Sequence, residues 1–148
     1  MPQSILLLNG PNLNLLGQRE PEIYGTETLA DHIHAARTAA EELGHILVDF
    51  QSNFEGEMCE AVHQARNNHE AIIINAGAWT HSSWALADAL SAYDGVVVEL
   101  HLSNPMRREP WRHTSVVTPV ATGLICGFGG LGYPMAVQAV HRMLSQQP

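Results

Sequence analysis

Five short apolar runs punctuate this chain: Ile5 to Leu8, Ile46 to Phe50, Ala71 to Ile74, Val96 to Leu100 and Leu124 to Phe128. Each is β-branched or leucine-rich and is bounded by polar residues or glycine, the pattern of a buried strand. Between the runs the apolar spacing changes to three and four residues. Leu29, Ile33, Ala36, Ala40 and Leu43 line one side of a helix that Thr28 and Asp31 would cap and Gly44 would stop. Ser52 to Glu55 has the spacing of a capping box opening a weaker helix with Met58, Ala61, Val62 and Ala65. A third helix is predicted from about Ser82 to Tyr93, and Tyr133, Val137, Val140 and Leu144 mark the last. Strand and helix in alternation imply a parallel sheet covered on both faces. Five strands predict a flavodoxin-like doubly wound α/β fold, strand order 2-1-3-4-5, as one domain over residues 1–148. The connection from Gly10 to Glu27, marked by Pro and Gly, is too long for a simple link and predicts a functional loop or lid.

Composition removes several functions. Seven basic and fifteen acidic residues give 7 − 15 = −8, a poor surface for nucleic acid, so no nucleic-acid partner is expected. All seven basic residues are arginine, so a Schiff-base lysine and the lysine of a phosphate-binding loop are both impossible. Cys59 and Cys126 are too few for a disulfide framework and read as reduced, buried small residues. No basic leader precedes Ile5 to Leu8, and that run is too short to span a membrane; a cytoplasmic protein with no membrane partner is expected.

In an open α/β sheet, ligands bind outside the carboxyl ends of the strands, where strand order reverses. Amides, hydroxyls and imidazoles gather there: Asn9-Gly-Pro-Asn-Leu-Asn14 after the first strand, Asn75-Ala-Gly-Ala-Trp-Thr-His81 after the third, and Glu99-Leu-His-Leu-Ser-Asn104 at the end of the fourth. Asn, Gly and Ser are also ordinary turn formers; three such segments on one rim point to a site. Glu99 and His101, two apart on a strand, share a face, so the carboxylate can orient the imidazole for acid/base work. His81, His101, Asp88 and Glu99 could instead supply metal ligands, but no paired ligand spacing accompanies them, and no metal is expected. His32 and His34 point to different sides of a helix, and His45, His63, His69 and His141 lie away from the rim. Gly127-Phe-Gly-Gly-Leu-Gly132 matches a dinucleotide fingerprint, yet only sixteen residues follow it, too few for the second strand and its ribose-binding acid. Trp79, Trp84 and Trp111 read by default as core or interface residues. Tyr24, beside Arg19 in the long loop, is either a packed anchor or a base activated by the neighbouring guanidinium.

The segments Asn9 to Gly25, Asn75 to Ser83, Glu99 to Asn104 and Phe128 to Tyr133 closely resemble the type II 3-dehydroquinate dehydratases over nearly the whole chain. The resemblance implies dehydration of 3-dehydroquinate to 3-dehydroshikimate in the shikimate or quinate pathway, without cofactor, by a dodecamer of four trimers. It implies Tyr24 as the base that takes the C2 proton, and Arg19 as its activator on a lid around residues 18–26. Asn12 would hold a water at the enolate oxygen, and His101, paired with Glu99, would be the general acid. Asn75, Leu102 and Ser103 would bind the carboxylate, and His81, Asp88 and Arg112 the ring hydroxyls. After Asn104 the chain departs from the usual pattern at Pro105, Met106, Pro110, Trp111 and Thr114, while Arg108, Glu109, Arg112 and Ser115 keep their places. Two prolines without N–H donors leave the aim of Arg112 less defined than that of His101. A flavin- or nucleotide-binding module on the same fold is the rival reading, although Pro11 and the lack of a Ser/Thr-rich loop weaken its phosphate cradle.

Overall fold

The computed structural model describes residues 2–147. Strands β1 (Ser4–Asn9), β2 (Ile46–Gln51), β3 (Ala71–Asn75), β4 (Val96–His101) and β5 (Gly123–Cys126) form one parallel sheet in the order β2-β1-β3-β4-β5. This is the order expected from the alternating pattern. The helices are α1 (Pro21–Tyr24), α2 (Leu29–Glu42), α3 (Glu55–Ala65), α4 (Trp84–Ser91) and α5 (Gly132–Ser145). No helix among the described residues is long and apolar enough to cross a membrane.

Successive strand residues face opposite ways, so each inner strand feeds two cores. Ile5, Leu7, Ile73, Val98 and Leu100 pack against α2 and α5 through Ala36, Ala40, Ala136, Val137 and Val140. Leu6, Leu8, Ile72, Ile74 and Val97 pack against α3 and α4 through Met58, Val62, Leu86 and Leu90. Each large side chain so buried contributes about 1.5–3 kcal/mol.

The α2 cap follows the sequence reading: Asp31 N–H donates to Thr28 Oγ1 at 3.2 Å, and Thr28 N–H to Asp31 Oδ2 at 2.9 Å. Gly44, with φ of 80°, ends that helical segment. Other local expectations give way. Ser52 does not cap α3; its hydroxyl accepts from Phe54 N–H at 2.9 Å and donates to Glu57, so a local turn uses the oxygen a cap would need and Phe54 takes the N-cap place. β2 and β5 are sheet edges, and Ile46, Val48 and Leu124 are exposed rather than buried, because a strand's place in the sheet leaves no trace in its apolar run. β5 stops at Cys126, where Gly127 turns to φ of 93°. Trp84 and Trp111 are exposed at 74% and 54%, so neither is a core residue of this chain. Both cysteines are free and only half-buried.

At the amino ends of the strands, buried His45 places Nε2 2.8 Å from His141 Nδ1 on α5. Burial, and then the charge of His141, hold the His45 imidazole below its ordinary value of 6.5, against a smaller opposing effect of Glu70. Burial likewise lowers His32 and His69. Below 6.5 the unfolded chain therefore binds more protons than the folded one. The stability these groups permit is complete above that value and is lost as pH falls through the lower folded values. The thermal midpoint is expected to drop between about pH 7.5 and about pH 5.5, and the drop to be smaller in His45→Gln. Calorimetry at the two pH values checks both.

Candidate active site

The order reverses between β1 and β3, and there the two chain segments leave the sheet almost in contact. Gly10 N–H donates to the Asn75 carbonyl at 2.8 Å, and a Cβ on Gly10 would lie 2.5 Å from the Ala76 carbonyl oxygen, so no side chain fits. A cleft opens above this junction. Asn12, Arg19 and Tyr24 line it from the first loop, Asn75 and His81 from the end of β3, and His101, Leu102 and Ser103 from the end of β4. Arg108 and Arg112 complete the wall from two single turns of 3-10 helix region after β4. Of the sequence-predicted residues, Glu99 stands behind His101, and Asp88 alone is elsewhere: it is exposed on α4 and lies outside the cleft of its own chain, because α4 covers the sheet face below the rim.

Glu99 is 1% exposed, and both of its carboxylate oxygens are engaged. One oxygen accepts from His101 Nε2 at 2.6 Å and from Ser115 Oγ at 2.9 Å; the other accepts from Thr118 Oγ1 at 2.5 Å. Burial alone would raise this carboxyl, but the bonds from His101 and Thr118, the His101 charge and the Ser115 bond together hold it below the usual value. A carboxylate only accepts, so His101 must direct Nε2–H at Glu99, which leaves Nδ1 as the nitrogen free for proton transfer. Ser115 is itself locked, since its oxygen accepts from the Val117 and Thr118 N–H groups at 3.1 and 3.0 Å.

Tyr24 closes α1, one turn that begins with Pro21 inside the long loop. Asn12 and Glu20, with φ of 68° and 41°, are the non-glycine residues with positive φ among the described residues, and both belong to this loop. Such strain concentrates at functional sites. Asn12 is steadied from the turn after β2: its N–H donates to Asn53 Oδ1 at 2.9 Å. The Arg19 guanidinium lies 5.1 Å from the Tyr24 ring centroid and pairs with Glu20 at 3.3 Å. The group that reaches the phenol oxygen is Arg108, whose Nη1 donates to Tyr24 Oη at 2.8 Å and to Ser103 Oγ at 3.2 Å. Arg108 was legible only as a retained position; its contact joins residues 84 apart in sequence.

The prolines after β4 do not disturb the wall. Pro105 and Pro110 each open a single helical turn, where a missing N–H costs nothing, and Asn104 caps the first by accepting from Met106 N–H at 3.1 Å. Arg112 lies over the Trp111 ring, 4.0 Å from its centroid, and its Nε donates to Glu109 at 3.2 Å, so Arg112 does face the cleft. His81 gives Nδ1–H to the Thr114 carbonyl at 2.8 Å; burial first, and then nearby positive groups, keep its imidazole below the ordinary value. Its Nε2 is thereby left as an acceptor for a hydroxyl. Among the described residues no group of three or more His, Cys, Asp or Glu side chains is placed to hold a metal ion.

Residues 3–141 match the model of the family described as dehydroquinase class II. A 3-dehydroquinate dehydratase of Jannaschia sp. is 54% identical over 142 residues, 96% of each chain. A catabolic 3-dehydroquinase of Aspergillus clavatus is 51% identical over 140 residues, covering 95% of this chain and 93% of its own. The crystal structure of the type II dehydroquinase from Butyrivibrio crossotus superposes with a TM-score of 0.92 at 39% identity, covering 94% of this chain and 97% of that one. The fold and the matches thus define an α/β enzyme, with a candidate site in the cleft at the strand switch point. The chain belongs to the class II dehydroquinase family.

Removing the Ser115 hydroxyl takes one donor from a buried charge and two acceptor contacts from the following turn. Ser115→Ala is expected to cost about 1.5–3 kcal/mol at neutral pH. Because Glu99 is held below its ordinary value of 4.5, its contribution exists above that value and fades as pH falls through the folded one. Urea unfolding of both proteins should therefore show the penalty shrinking in the acid range.

Proposed function

We propose that this class II dehydroquinase removes water from 3-dehydroquinate through an enolate, with Tyr24 as base and His101 as general acid. The observation that carries the reading is that both groups line one cleft and each is anchored by a charged partner, Tyr24 by Arg108 and His101 by Glu99. The Tyr24 oxygen, as the phenolate, takes the C2 proton next to the ketone and becomes the phenol, and the electron pair of the C2–H bond moves onto the ketone oxygen. The enolate then re-forms the carbonyl, the C1–C2 double bond closes, and the C1 hydroxyl leaves as water with a proton from His101 Nδ1. Asn12, through a water, and the guanidinium charges stabilise the enolate oxygen, which develops charge only along the reaction path. Glu99 acts through His101 by fixing its tautomer and supplying the counter-charge of the imidazolium. Asn75, Leu102 and Ser103 receive the substrate carboxylate, and Arg112 and the His81 acceptor nitrogen receive ring hydroxyls.

Asp88 can serve that hydroxyl set only from a neighbouring copy, since it is outside its own cleft. Trp84, one helical turn earlier on α4 and 74% exposed, gives the same face a large apolar contact for such a neighbour. The proposed assembly is a dodecamer of four trimers. Light scattering is expected to give the dodecamer mass for the native protein, and a monomer mass would remove the shared-site reading of Asp88.

Activity is tested by adding 3-dehydroquinate and following the ultraviolet absorbance of the conjugated product. Tyr24→Phe keeps the ring and loses the reacting oxygen, so kcat is expected to fall by about a hundredfold or more, with a much smaller change in ligand affinity. His101→Ala should slow turnover by a similar factor while still permitting exchange of the C2 proton with solvent, whereas Tyr24→Phe should stop that exchange. Exchange at the wild-type rate in Tyr24→Phe would place the base elsewhere.

A further inference from the structure

We infer that Tyr133, which lies outside the cleft, is a positioning residue that makes Asn75 present a hydrogen-bond donor, and no acceptor, to the substrate. The inference rests on the reading of Asn75 as a carboxylate binder.

Asn75 ends β3 with 3% exposure, and both ends of its amide are already engaged. The Gly77 N–H, a backbone group that can only donate, reaches Asn75 Oδ1 at 3.3 Å. The two contacts together fix the amide: its oxygen faces Gly77, and Nδ2 is held at the Tyr133 hydroxyl at 3.3 Å. Tyr133 Oη accepts from Nδ2 and spends its own hydrogen on Asn9 Oδ1, 2.6 Å away at the fully buried end of β1. The chain of bonds thus runs in one direction, from Asn75 through Tyr133 to Asn9. An amide nitrogen carries two hydrogens, so one remains for the cleft, which Asn75 lines. A carboxylate, which only accepts, suits that hydrogen; a donor group in the same place would find no acceptor.

Tyr133 is built to hold this place. It is fully buried on α5, and its ring stacks on His32 with centroids 5.2 Å apart and planes within 4°. Gly130 leaves room for the His32 ring: a Cβ there would lie 2.3 Å from His32 Cε1. Burial raises the phenol well above its ordinary value, against a weaker effect of the Asn75 bond, so the hydroxyl keeps the hydrogen it gives to Asn9. A residue needed only to fill the core would require the ring but not the oxygen.

Tyr133→Phe tests that difference. The expected result is a rise in KM for 3-dehydroquinate of about tenfold with kcat within about threefold of wild type, the signature of lost binding common to ground and transition states. Asn75→Ala should raise KM at least as much, and adding Tyr133→Phe to it should change KM by less than about twofold, because Tyr133 acts through Asn75. A Tyr133→Phe enzyme with a lower melting temperature but wild-type KM would overturn the inference, as would a further large rise in the double variant. Asn75→Ala with unchanged KM would overturn the reading of Asn75 and the inference with it. If Asn75→Ala raises KM and Tyr133→Phe does not, only the inference falls. Should Tyr133→Phe fail to fold by circular dichroism, Asn9→Ala removes the acceptor at the other end of the chain. A severalfold KM rise supports the inference there, and an unchanged KM overturns it.

Discussion

A charged carboxylate inside a parallel sheet is costly unless both of its oxygens accept hydrogen bonds, and Glu99 imposes that requirement on the segment that follows it. His101, Ser115 and Thr118 meet it, and in doing so they bind the chain from residue 101 to residue 118 back onto the end of β4. Val116 N–H then reaches the Thr80 carbonyl at 2.8 Å, and His81 donates to Thr114, so the segment after β3 is tied to the same frame. The charge is thus more than a partner for the imidazole. It holds in place the stretch that carries Arg108 and Arg112 to the cleft.

Acid and base of the proposed reaction both depend on that one stretch. His101 is its first residue, and Arg108 is the group that reaches Tyr24. The loop bearing Tyr24 contributes little anchoring of its own: α1 is a single turn, no side chain caps it, and its N-cap Glu20 has positive φ. Segments with little anchoring open at low cost, which suits the lid that the family resemblance implies for this loop. The tie to Arg108 gives the tyrosine a fixed address. Asn75 is fixed differently, through buried hydrogen bonds beneath the rim rather than through charge.

Much of this was readable without coordinates because it rests on local rules. Period-two and period-3.6 patterns reflect which side of an element meets water, so the five strands, the four longer helices and the strand order emerged from spacing and alternation. Thr28 and Asp31 are three residues apart and could be read as a cap for the same reason. Glu99 and His101 share a strand face by the pleat alone. Ser52 misled because its oxygen had two local uses, and the spacing does not say which prevails.

What stayed hidden were pairings between residues far apart in the chain: Arg108 with Tyr24, Thr118 with Glu99, and Tyr133 with Asn75 and Asn9. Tyr133 fits the helical stripe of α5 as an apolar residue, and nothing in that stripe reveals where its hydroxyl ends. Asp88 carries the residue type the cleft calls for, yet α4 directs it to the outer surface of the chain. Spacing along a chain reports the side an element buries, whereas the partner of a polar atom depends on how sheets and helices stack. The class of fold and the chemical types at its rim therefore belong to the sequence, and the wiring that aims them belongs to the packing.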